Sequence, residues 1–238
     1  MIRLATTRVM AGNCLTVIRN MLSERTFLRW LGVLLIMDAL LIFLHIMKVI
    51  SITMDGGVSE LFENTKIALA ALCYAMIFAY RRRLIFLALA VIFILVFADN
   101  TLTIHESLGK QLQVVYGDVR FYGMHAKDLG ELLVFGVYAA LSISLLGLGL
   151  VWSDGVYRTY GLVAILSLCI LGGFAVGIDF LHAIVGDSNR LLNGLLNLIE
   201  DGGELVAISI ICATAFAIRA MVHVPAVPAS PRSQIGAI

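Results

Sequence analysis

Apolar residues along this chain fall into six long blocks, separated by short polar or basic connections. The blocks are roughly Trp30–Ile50, Leu61–Tyr80, Leu84–Ser107, Leu129–Trp152, Tyr157–Val185 and Leu191–Ala220. Each approaches or exceeds the roughly 20 residues a helix needs to cross a bilayer core. The pattern predicts an all-α integral membrane bundle of six transmembrane helices. The second block is the weakest, because Glu63 and Lys66 stand in its first turns. The fifth is long enough to tilt or to pass the interface. Residues 1–29 read as a basic, partly amphipathic cytoplasmic segment and 30–220 as the transmembrane domain. The stretch 221–238, with Pro225, Pro228 and Pro231, reads as a disordered cytoplasmic tail.

Basic residues set the orientation. With the N-terminus in the cytoplasm, eleven arginines fall on that side, including the triplet Arg81–Arg83 in a very short loop. Six lysines and arginines, Lys66 among them, fall on the other. Both termini are therefore expected inside, and the long connection between the third and fourth spans outside.

Composition agrees with a membrane location. Hydrophobic residues make up 61% of the 238 and charged ones only 14%, where a soluble domain carries about 25% charged residues. A net charge of +1 without a basic block excludes nucleic acid as an expected partner. The cysteines, Cys14, Cys73, Cys169 and Cys212, form no CxxC pair, so neither a disulfide framework nor a thiolate metal site is expected.

Against this apolar background eight ionisable residues stand out: Asp99, His105, Glu106, Asp179, His182, Glu200, Asp201 and Glu204. An ionisable group in hydrocarbon costs about 3 kcal/mol even on insertion scales, so it marks a functional site by default. The predicted orientation carries all eight to the outer half of the membrane, with His125, Asp128 and Glu131 at the entrance to the fourth span. Helical spacing places Asp99, Thr103 and Glu106 on one face and turns His105 about 120° away. Asp179 and His182 share a face, as do Glu200 and Glu204. Gly202 and Gly203 let another helix come close to the acids. Asp38 and His45 on the first span are read as satisfied polar core residues.

Unpaired, such carboxylates would repel one another, and a divalent cation resolves the conflict. Bundle-core metal sites draw Glu and Glu-x-x-His ligands from several helices, and Asp179-Phe-Leu-His182 has the same i, i+3 arrangement. Imidazole with carboxylate suits zinc, iron or manganese. The expected metal ligands are Asp99, His105, Glu106, Asp179, His182, Glu200 and Glu204, with Asp201 as a general base.

The string Asp99-Asn-Thr-Leu-Thr-Ile-His105-Glu106, with Glu200-Asp-Gly-Gly-Glu204 further on, resembles a group of uncharacterised bacterial polytopic membrane proteins. In that group a span ends in an acidic pair and then His-Glu, and the last span carries two adjacent acids and a third. Asn100 departs from the pattern at the second acid. The resemblance implies a multi-pass protein of the bacterial inner membrane and no particular activity. Three functions stay open at this point. One is a metal-dependent enzyme acting on a small molecule or on membrane lipid. The others are an ion- or proton-coupled transporter and a non-catalytic assembly subunit.

Overall fold

The computed structural model describes residues 14–54, 56–117, 119–121, 124–185 and 190–223. Helix α1 covers residues 14–23. After it come α2 (Arg25–Ile46), α3 (Val58–Arg81), α4 (Leu84–Leu102) and α5 (Ile104–Tyr116). A two-residue antiparallel ladder, β1 (Arg120–Phe121) with β2 (Met124–His125), leads into α6 (Ala126–Val151). α7 (Gly155–Gly172) runs on through a π-helix (Gly173–Ile178) into α8 (Asp179–Val185), and α9 (Arg190–His223) follows. Six of these segments are long and apolar enough to cross a membrane.

Helix α9 is the hub. Two-thirds of its most apolar window (67%) is buried, against at most 44% in any other span. It packs against α2, α3, α7 and the π-helix. Its alanines 207, 213, 215 and 217 are almost fully buried, which lets neighbouring backbones come close. α3 and α4 form an antiparallel hairpin whose core stacks Tyr74 between Phe86 and Phe93. The hairpin turns on Arg82, which adopts the left-handed conformation and returns its N–H to the Phe78 carbonyl. α6 is the least buried span, at 17% of its window, and leans on α4 and α5.

One end of the bundle is arginine-rich. There Trp30 stacks on Phe216, Tyr80 on His223, Arg81 donates to the Val222 carbonyl and Arg83 pairs with Asp154. The predicted acid residues lie at the opposite end.

Three expectations need correction. The third span stops at Leu102, not Ser107, because Thr103 takes a left-handed conformation (φ 47°) that breaks the helix before α5. The connection to the fourth span contains α5, a whole helix packed on α6. The fifth span holds as one continuous helix, with a π-helical turn inside it. Lys66, counted above among the outer-side charges, is completely buried within α3 and paired with Asp38. Without it, five basic residues stand opposite the eleven arginines in the expected topology. The tail beyond His223 and the first 13 residues lie outside the described residues.

Candidate functional site

Asp99, His105, Glu106, Asp179, His182, Glu200, Asp201 and Glu204 all line one cavity of about 700 Å³ at the end of the bundle away from the arginines. Among the described residues Glu60, Glu63, Asp128 and Glu131 line it too, with Lys127 as the single lysine. Ten carboxylates against one ammonium make a field that draws cations.

The break at Thr103 builds the first half of the site. In an unbroken helix residues six apart point to different sides, but the left-handed turn brings α5 back over the end of α4. His105 Nδ1 then lies 2.7 Å from Asp99 Oδ2, and its backbone N–H donates to Asp99 Oδ1 at 3.1 Å. The Tyr138 hydroxyl, from α6, donates to the same Oδ1 at 3.1 Å. Asp99 is thus buried with both of its oxygens engaged. The imidazole is fixed through one nitrogen and rests against Phe135, while its Nε2 makes no hydrogen bond to the described residues. A carboxylate holding an imidazole in this way orients the other nitrogen for proton transfer or metal ligation. Burial pushes the His105 pKa down, but the hydrogen bond and charge of Asp99, with Glu131 and Glu106 adding, hold it above its ordinary value.

Glu106 does not share the Asp99 face as the spacing predicted, for the same reason. It accepts from Lys110 Nζ at 2.7 Å one turn further along α5, and that hydrogen bond holds its carboxyl below the usual range. α5 itself is held to α6 by a glycine crossing. A Cβ on Gly130 would lie 2.8 Å from the Gly109 Cα, so neither position has room for a side chain.

The π-helix builds the second half. Its widened turn re-aims the residues that follow, a device common at functional sites. Phe174 within it occupies the notch above Gly203, where a Cβ would lie 2.1 Å from the ring, while Gly202 faces Ile42 of α2. The two glycines therefore admit α9's neighbours beside the acids, as their positions suggested. Past the π-helix, His182 sits between Glu200 Oε2 (2.9 Å, through Nδ1) and Asn193 Oδ1 (2.5 Å, through Nε2). Glu204 lies among Glu63, Asp201, Glu200 and Asp179, and like charges dominate its surroundings. Among the described residues, no three His, Cys, Asp or Glu side chains converge closely enough to hold a metal ion.

Below the acids lies the buried pair. Lys66 Nζ donates to Asp38 Oδ1 (3.0 Å), Ser209 Oγ (3.0 Å) and the Leu205 carbonyl (2.7 Å), and Ser209 Oγ donates to Asp38 Oδ2 (2.6 Å). His45 stays apart from the cavity, its Nδ1 accepting from the Ile52 N–H.

Sequence reasoning missed Glu63, Tyr138 and Asn193 as members of the site. Glu60, Glu63 and Ile67 follow i, i+3, i+7 spacing on α3, and all three line the cavity. That spacing was the available signal, obscured because the charges looked like a frayed span end. Tyr138 and Asn193 carry no pattern that separates them from interface residues.

The fold and this chamber define a polytopic integral membrane protein with an acid-lined cavity at one end. The chain belongs to the family described as a domain of unknown function, DUF8692, which it matches over residues 29–218. No curated protein and no solved structure matches it.

Proposed function

We propose that this protein binds a divalent cation in the chamber and works there as a metal-dependent membrane enzyme. The observation that carries the reading is the cluster of Glu63, Asp179, Glu200, Asp201 and Glu204, five carboxylates that line one cavity together with His182. A cation of charge two offsets their repulsion, and carboxylate with imidazole favours zinc, iron or manganese. The open spacing of these groups suits a site whose coordination is completed by substrate and water rather than a closed structural site. His105, held by Asp99 and Tyr138 on the facing wall, is the general base in this reading, with Asp201 counted among the carboxylates. The arginine asymmetry favours a chamber that faces away from the cytoplasm.

Elemental analysis of the purified protein tests this, with wild type beside Glu200→Gln and His182→Ala. The expected result is about one zinc, iron or manganese ion per chain, lost in both variants. Metal-free protein that takes up none of the three on addition, and that instead supports uptake driven by a pH gradient in proteoliposomes, overturns it in favour of a carrier.

A further inference from the structure

The chamber is longer than a cation needs. Its lower part is apolar: Ile92 and Val96 from α4, Leu168 and Leu171 from α7, and Ile208 from α9 line it. Ile92 lies seven residues below Asp99 and Ile208 eight below Glu200, or roughly 10–12 Å of helix. Ile92 is also eight residues from the other end of α4, so the floor reaches the middle of the span. Water gains little in a dry apolar pocket, whereas hydrocarbon fills one readily.

That lower part borders the seam between α6 and α7. The two helices are joined by the short turn Trp152–Asp154 and touch beside it, where Leu150 meets Gly161 and accepts from Arg158 Nε. Beyond the turn their backbones do not pack closely on each other, since α6 rests on α4 and α5 while α7 rests on α4 and α9. At the far end α8 meets α6 again and closes the seam. Phe135 and Ala139 on one side, with Leu171, Gly172 and Ala175 on the other, border this seam and line the chamber behind it. Gly136, Gly172, Gly173 and Gly177 all have open space where a side chain would begin.

We propose that the substrate is a membrane amphiphile that enters sideways between α6 and α7. Its hydrocarbon chain lies along the apolar floor, and a head group with cation-ligating oxygens reaches the carboxylates. The head-group assignment rests on the divalent-cation reading; the seat for the chain does not.

The test uses the full-length protein in phospholipid nanodiscs doped with a phosphatidylethanolamine that carries a diazirine on its acyl chain. After photolysis, labelled peptides are mapped by mass spectrometry. Ile92 is 2% exposed on all sides together, so bulk lipid cannot mark it and a chain in the chamber meets it only at its edge; Val96, half-buried and lining the chamber, should carry most of the label. The expected result is label on Ile92 and Val96 that is lost in Gly172→Trp, which obstructs the seam from an exposed rim position. Leu168→Phe, which fills the floor instead, should cause the same loss, and both variants should keep the metal content of wild type. Label confined to lipid-facing residues, or label on Ile92 and Val96 that survives both variants, overturns the proposal. So does an Ala139→Cys protein that cross-links to a second copy while Ile92 and Val96 stay unlabelled, because the seam would then be a subunit contact. Label on Ile92 and Val96 in a metal-free protein supports the seat for the chain and removes only the cation reading.

Discussion

Replacing Lys66 by methionine should be the most damaging single change outside the chamber. The ammonium is fully buried and makes three hydrogen bonds, to Asp38, Ser209 and the Leu205 carbonyl, thereby tying α2, α3 and α9 together. The ring of Phe62 lies 4.5 Å below it. Methionine keeps most of the stem and removes the charge. The Asp38 carboxylate, only 1% exposed, is then left with the Ser209 hydroxyl alone. Breaking a buried pair by removing one partner costs about 3–5 kcal/mol, while replacing both partners by apolar groups of similar size is close to neutral. The triple change Lys66→Met, Asp38→Leu, Ser209→Ala should therefore recover most of the loss and fall within roughly 1–2 kcal/mol of wild type. Reversible unfolding in mixed micelles, titrated with SDS and followed by circular dichroism, measures both. A single variant within about 1 kcal/mol of wild type would refute the reasoning. So would a triple variant as unstable as the single one, since the penalty would then come from lost volume rather than from an orphaned charge.

The remaining expectations concern the two halves of the site. Because the His105 pKa is raised by Asp99, the stabilisation from that pair is complete below the ordinary imidazole value of about 6.5. It is lost as pH rises through the higher folded value. Measured in chelator, the stability advantage of wild type over His105→Asn should be roughly 1–2 kcal/mol at pH 5.5 and should shrink towards pH 8.5; a constant advantage would show that the pair is not charged. Gly203→Ala should cost about 1–3 kcal/mol, because its Cβ meets the Phe174 ring at 2.1 Å. Phe174→Ala should relieve that cost in the double variant, and additive losses from the two changes would show that they do not touch.

The chamber was legible in the sequence because charge in an apolar block is costly, so every acid there has to be accounted for. Eight residues chosen on that ground line one cavity. Their pairings were not legible, and the reason is local. Nothing in Asp99-Asn-Thr-Leu-Thr-Ile-His105 announces that Thr103 will take φ 47°, since threonine rarely does so and no glycine or proline marks the place. Ideal helical geometry carried through that point puts Glu106 beside Asp99, whereas the break puts His105 there. The π-helix escaped notice for a related reason: Gly172, Gly173 and Gly177 read as ordinary small residues of a membrane helix. Lys66 misled in the opposite direction. A charge near a span end looks topogenic, and only its placement opposite Asp38 and Ser209 on two other helices reveals a buried pair.

That pair also bears on whether the chamber is a site or a pathway. A pathway needs polar groups, or a gap, leading on from the deepest part of the cavity towards the arginine end. Below Ile208, α9 continues with Ile211, Cys212, Ala213, Ala215, Ala217 and Ile218, each at most 1% exposed, packed against α3 and α7. To one side stands the Lys66 cluster, whose ammonium has all three protons engaged. Opening that half would part α3 from α9 across the pair, at a cost of the order of 3–5 kcal/mol before any core surface is exposed. The proposed route between α6 and α7 parts no such pair, since those two helices pack mainly on other elements. A chamber closed below by packed apolar residues and the Lys66 cluster favours the proposed reading, in which a membrane molecule is brought to fixed charges, over one in which an ion passes across.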